Sequence, residues 1–156
     1  MGRRTAAFAA LGFLAAALAG CAHEKTGPDA YRWSYLAPEQ DAPRLAYGLP
    51  NSDDVVLLIR CQPGQDQVDV SALGLSGSEI VLTSGKTESR FPAEALEDEM
   101  SGGKLLEGAG RASAPALAGF RQSGQLTLVS QDARHSLAAG SADRGQVKAF
   151  FKACGA

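Results

Sequence analysis

Few side chains of this chain could do chemistry: three cysteines, Cys21, Cys61 and Cys154; two histidines, His23 and His135; and the carboxylates Glu94, Glu97, Asp98 and Glu99. His23 sits in a polar stretch beside Cys21 that cannot hold a precise geometry, which leaves His135 as the histidine available for catalysis or ligation. Zinc sites built from two cysteines and two histidines, or from three histidines, are therefore out of reach, and no metal is expected. Asp132, His135 and Ser136 supply the residue types of a catalytic triad, but adjacent residues of a strand point to opposite faces. His135 and Ser136 thus cannot act as base and nucleophile together, and a hydrolase would need His135 to meet a serine or carboxylate brought from elsewhere by the fold. The simpler reading of His135 is a surface strand residue. The carboxylate run lacks the alternating Asp/Asn and Gly pattern of a calcium loop and reads as a solvated face. Neither a catalytic residue nor a cofactor is assigned.

One stretch comes close to a phosphate-binding loop. Ile80-Val81-Leu82-Thr83-Ser84-Gly85-Lys86-Thr87 ends as such a loop does, but the position that must be glycine is Ile80, and Glu88-Ser89-Arg90-Phe91-Pro92 cannot start the helix that should follow. It reads as the end of a hairpin.

Cys21 has a different context from the other two cysteines. Arg3 and Arg4 open a leader whose residues from Ala6 to Gly20 are apolar or small, a positive start followed by an apolar run. That run is about fifteen residues long, short of the roughly 20 needed to cross a bilayer, so a processed leader is expected rather than a retained span. Leu18-Ala19-Gly20-Cys21 resembles the lipobox of bacterial lipoproteins. The resemblance implies cleavage before Cys21, a diacylglyceryl thioether on its sulfur and acylation of the new amino group. One acyl chain binds a membrane only marginally, whereas several, at about 0.8 kcal/mol per buried methylene, hold stably. Ala22 stands where an aspartate retains such proteins in the inner membrane, which points to the periplasmic face of the outer membrane.

The remaining composition agrees with an envelope address. Of the 15 Lys and Arg, Arg3 and Arg4 leave with the leader, so 13 basic residues face 17 acidic ones, a net charge of −4. Without a basic stripe, nucleic acid is not an expected partner; the membrane is, through the lipid on Cys21, together with an envelope protein or glycan. Cys61 and Cys154 form an even remainder in an exported chain, which suggests a disulfide. In a strand Val55, Leu57, Ile59 and Cys61 share a face, and Val147, Phe150, Phe151 and Cys154 form one stripe of a helix. A bond between them closes a loop of roughly ninety residues, for which chain entropy gives about 4 to 5 kcal/mol. Two separate buried thiols are the competing reading. Reactive thiols need electropositive, partly exposed surroundings, and these apolar stripes are not that.

The elements that must position these groups are short and strand-like. Residues 21–30 form a polar tether, and residues 31–156 one domain. Tyr31, Trp33 and Tyr35 alternate on one face, as a core strand or a ligand groove would require. Strands are expected at 44–48, 55–61, 68–70 and 80–83, separated by turn residues. Pro92 to Met100 reads as a loop or a helical turn, broken by Gly102-Gly103, and 104–112 as a strand. Ser113 should cap a helix over 114–122 that Gly124 ends. Strands over 126–129 and 135–139 pair, and Asp143 should cap the last helix. The expected fold is mainly β, a small antiparallel sandwich or barrel closed by a C-terminal helix. Leu82-Thr83-Ser84-Gly85 has a faint similarity to the Ser-Gly loop of membrane-bound lysozyme inhibitors, themselves small disulfide-bonded β-barrel lipoproteins. Lys86-Thr87-Glu88 replaces the tyrosine of that family's pattern. The expected function is a non-enzymatic, membrane-anchored envelope binding or accessory module, with lysozyme inhibition and His135-dependent hydrolysis as alternatives.

Overall fold

A computed structural model describes residues 30–39, 41–98, 103–130 and 133–156; the leader, Cys21, His23 and most of the tether lie outside these. Among the described residues nine antiparallel strands make one sheet: β1 (Arg32–Leu36), β2 (Arg44–Gly48), β3 (Val55–Cys61), β4 (Val68–Leu73), β5 (Glu79–Ser84), β6 (Thr87–Asp98), β7 (Gly103–Gly110), β8 (Thr127–Val129) and β9 (Arg134–Ser136). Their order across the sheet is β1-β2-β3-β4-β7-β6-β5-β8-β9. The sheet curls into a half-barrel, with α1 (Pro115–Ser123) and α2 (Arg144–Cys154) on its inner side.

Alternation decides which face is inner. Leu45 and Tyr47, Leu57, Ile59 and Cys61, Val68, Val70 and Ala72, Ile80 and Leu82 are all buried, while the residues between them are at least partly open. Across the core they meet Leu117 and Phe120 of α1 and Val147, Phe150 and Phe151 of α2. Of the first strand's aromatics, Trp33 is 2 % exposed, with its indole N–H donating to Leu137 O at 2.7 Å and its ring 4.9 Å from that of Phe120. Tyr31 and Tyr35 pack against the same core. This face is core and not a ligand groove.

The disulfide between Cys61 and Cys154 ties the end of β3 to the last turn of α2 across 93 positions of sequence, so the two stripes do meet.

Two glycines let the sheet curl. The twelve-residue β6 pairs with β5 through Thr87–Pro92 and with β7 through Ala93–Asp98, changing partner where Pro92 lacks an N–H for the ladder. At this bend the Phe91 ring lies over Gly110, whose Cβ would fall 2.5 Å from Phe91 Cδ1, and a Cβ on Gly108 would fall 2.7 Å from Pro92 O. The expectation of a loop or helical turn over Pro92 to Met100 is therefore corrected to strand as far as Asp98. Its helix-forming composition was overridden by ladder pairing and by burial of Phe91.

α1 ends as expected on left-handed Gly124 (φ 72°), and α2 ends in the same way on Gly155 (φ 75°), but both helices begin differently from the expectation. Ser113 does not cap α1. Its hydroxyl donates to Asp66, and the buried N–H of Ala116 is satisfied from β6 by Ser89 Oγ at 3.0 Å. Asp143 holds the N-cap position of α2 without a side-chain cap bond. Its carboxylate accepts the backbone N–H of Trp33 at 3.4 Å, and Gln146 accepts that of Tyr35 at 3.2 Å. The open side of edge strand β1 is thereby covered by α2 side chains, a device that blocks pairing with another sheet.

Candidate functional site

The residues singled out for chemistry do not converge. His135 lies on β9, exposed, opposite Leu128 in the ladder. Ser136 is its exposed neighbour on the other side of the strand, and Asp132 lies outside the described residues. Glu94 and Glu97 are exposed on β6 at positions that face opposite ways, and Glu99 is outside the described residues. No group of three or more His, Cys, Asp or Glu side chains among the described residues is placed to hold a metal ion. The stretch resembling a phosphate loop is the β5–β6 hairpin, turning through Gly85 and Lys86 between the paired Ser84 and Thr87. Ser84, the serine of the inhibitor-like loop, is only 6 % exposed and lies 3.4 Å from Ser123 Oγ of α1. Its hydroxyl faces the helix and is not presented to a partner.

The structure does form a groove beside His135. The β4–β5 loop, Gly74 to Ser78, forms one wall, and β5, β6 and the β8–β9 hairpin form the other, enclosing about 510 Å³ of open space. Leu75, Val81 and Val129 give it an apolar floor, while Ser76, Ser78, Ser130, Glu79, Glu88, Arg90 and His135 rim it. Hairpin register explains the rim. With Ser84 paired to Thr87, Val81 falls opposite Arg90 and Glu79 opposite Pro92, so Arg90 lies between two carboxylates on one face. Its Nε donates to Glu88 Oε1 at 2.9 Å and its Nη1 to Glu79 Oε1 at 2.6 Å. Hydrogen bonding to Glu88, with the charges of Glu79 and Glu88, raises the guanidinium's pKa further. Next to it Arg134 Nη2 donates to Thr83 Oγ1 at 3.0 Å, which accounts for the burial of a threonine on the outward side of the sheet.

Chemically the groove is an amphipathic trough on whose rim two carboxylates, Glu79 and Glu88, share one guanidinium, Arg90. Among the described residues no hydrogen bond joins His135 to the groove's Ser76, Ser78, Ser130, Glu79 or Glu88, the kind of base and nucleophile contact that serine hydrolysis uses. Sequence reasoning reached His135 but missed the rest of the rim. The available signal was the two-residue spacing of Glu88 and Arg90 beyond a Gly-containing turn, which places both on one strand face.

A second polar cluster fixes the approach to α1. Asp66 accepts Ser113 N at 2.7 Å with Oδ1, and Arg111 Nε at 2.7 Å and the Ser113 hydroxyl with Oδ2. The hydroxyl and backbone N–H of Ser113, with Arg111 adding to them, hold the Asp66 pKa down to about 2. This cluster is structural, since it spends its donors on the chain itself.

No known protein family, curated protein or solved structure matches the chain.

Proposed function

We propose that the chain is an envelope lipoprotein, anchored through acylated Cys21 at the periplasmic face of the outer membrane, and acts as a non-enzymatic binding or accessory module for an envelope protein or glycan. The carrying observation is the partition of the cysteines. Cys61 and Cys154 are joined in the core, a bond suited to an oxidising compartment. This leaves Cys21, the residue that ends the apolar leader, as the thiol for lipid.

Binding is favoured over catalysis by what the inner and outer surfaces offer. The inner side of the half-barrel is filled by α1 and α2, so a ligand is met on the outside. There the groove beside His135 combines an apolar floor with a hydroxyl-rich rim, a surface suited to the apolar faces and hydroxyls of a sugar or an extended peptide. Metabolic labelling with a palmitate analogue tests the anchor. The wild-type chain takes the label and fractionates with membranes, and Cys21→Ser loses both; label retained by Cys21→Ser overturns the proposal.

A further inference from the structure

The tether from Cys21 enters the fold at one particular end of the sheet. β1 begins at Arg32, which lies opposite Gly48 at the end of β2, and Gly48 lies opposite Val55 at the start of β3. Antiparallel order then brings the end of β4, the start of β7 and the end of β6 to this same end. There the outward side of the sheet carries a row of leucines, Leu73 opposite Leu105 and Leu105 opposite Leu96, one residue out of phase with the buried Ala72 and Leu106. Leu73 and Leu105 are partly open, and Leu96 is 42 % exposed. Leu36, the other exposed large hydrophobic side chain among the described residues, lies at the far end of β1.

Directly behind the leucines the face turns acidic. Asp69 faces Arg60 across β3 and β4, but Glu94 lies opposite Glu107, and neither forms an ion pair among the described residues. Like charges directly opposite destabilise a ladder, and a cationic group placed over them relieves this. The four charged residues line one concavity that Leu96 borders, where carboxylates outnumber the guanidinium.

The tether decides what covers the row. Nine residue steps separate Cys21 from Ala30, about 32 Å at full extension. Leu96 lies five strand spacings from β1, roughly 24 Å along the sheet at 4.8 Å each. A lipid on Cys21 thus keeps the leucine end of the sheet within reach of the bilayer. A short linker gives an effective concentration on the order of millimolar, at which even a small apolar contact is populated. On the premise of lipid at Cys21, we propose that the leucine row is a membrane-docking edge. It leans on the bilayer with Leu96 foremost, and Glu94 and Glu107 behind it meet the ammonium groups of ethanolamine headgroups.

Tryptophan reporters in the lipidated full chain test this, in phosphatidylethanolamine-rich vesicles whose acyl chains are brominated as quenchers. Leu96→Trp should lose at least about half of the emission it adds to that of Trp33, because an interfacial apolar face sits about 5–10 Å into the headgroup and acyl boundary. Gln62→Trp, exposed at the opposite end of the strands, should lose none. Adding Leu105→Ser to Leu96→Trp, with circular dichroism unchanged, should restore most of the emission, and so should exchanging ethanolamine headgroups for anionic glycerol ones. Leu96→Trp that stays unquenched on vesicles, as when a protein partner covers the row instead, overturns the proposal. So does quenching that Leu105→Ser or the anionic headgroup leaves intact, or that Gln62→Trp shares equally. Mass measurement keeps the premise separate: an acylated chain that floats with vesicles while Leu96→Trp stays bright loses only the docking edge, whereas a chain without acyl groups on Cys21 loses the anchor as well.

Discussion

Replacing Gly110 with alanine should destabilise the protein because of Phe91 alone, and removing Phe91 should reverse the sign of the effect. The added Cβ would fall 2.5 and 2.6 Å from Cδ1 and Cε1 of the ring, whereas carbon atoms rest about 3.5 to 4.0 Å apart. The ring must withdraw by about 1 Å, and at 2 % exposure it has packed neighbours on its other side. Overpacking of this kind costs about 1 to 3 kcal/mol. Phe91→Ala alone leaves a cavity and should cost about 3 to 5 kcal/mol. With the ring gone, alanine at 110 should be better than glycine by about 0.5 to 1 kcal/mol, the usual penalty of glycine within a strand. A double-mutant cycle by urea unfolding, with midpoints read at constant m-value, measures the coupling directly. Equal costs of Gly110→Ala in the two backgrounds would refute the claim that the ring selects the glycine, and with it the account of how β6 bends over β7.

Other expectations follow from the same geometry. The double substitution Cys61→Ala and Cys154→Ala opens a loop closed across 93 positions and should lower stability by about 4 to 5 kcal/mol at most, read as a lower urea midpoint with the folded near-UV signal retained. Asp66 titrates at about 2 in the folded chain against an ordinary 3.8. Its contribution is therefore present above the ordinary value and lost as pH falls through about 2, so Asp66→Asn should flatten the acid limb of the stability profile between those values. Trp33 is the single tryptophan of the chain, and its burial predicts blue-shifted emission resistant to acrylamide in the native state. Trp33→Phe leaves the Leu137 carbonyl without its donor and should cost about 1 to 3 kcal/mol by thermal or urea unfolding.

The parts of the fold legible in the sequence are those in which period and burial agree. Val55 to Cys61, Tyr31 to Tyr35 and the Val147 to Cys154 stripe each carry an uninterrupted pattern, and each forms the element and core face expected of it. Pairing of Cys61 with Cys154 was legible for the same reason, since both sit at the ends of core-facing stripes. The second half of β6 was not legible: Pro92 and the acidic residues after it speak locally against a strand, and only the neighbouring β7 with its Gly108 and Gly110 makes one possible there. The caps failed similarly. Ser113 and Asp143 are good local caps, but their side chains are drawn to Asp66 and to the Trp33 N–H by contacts 47 and 110 positions away in sequence. The groove rim depends on hairpin register and on a loop returning from β4, neither of which a single strand's pattern contains.

The account stands on the division of the three cysteines, and peptide mass mapping of the chain extracted from membranes without reductant tests that division most directly. It predicts an N-terminal peptide beginning at Cys21 and carrying acyl and diacylglyceryl groups, together with a peptide pair in which Cys61 is linked to Cys154. An intact Gly20-Cys21 bond with a free thiol, or Cys21 linked to either of the other two, would contradict it.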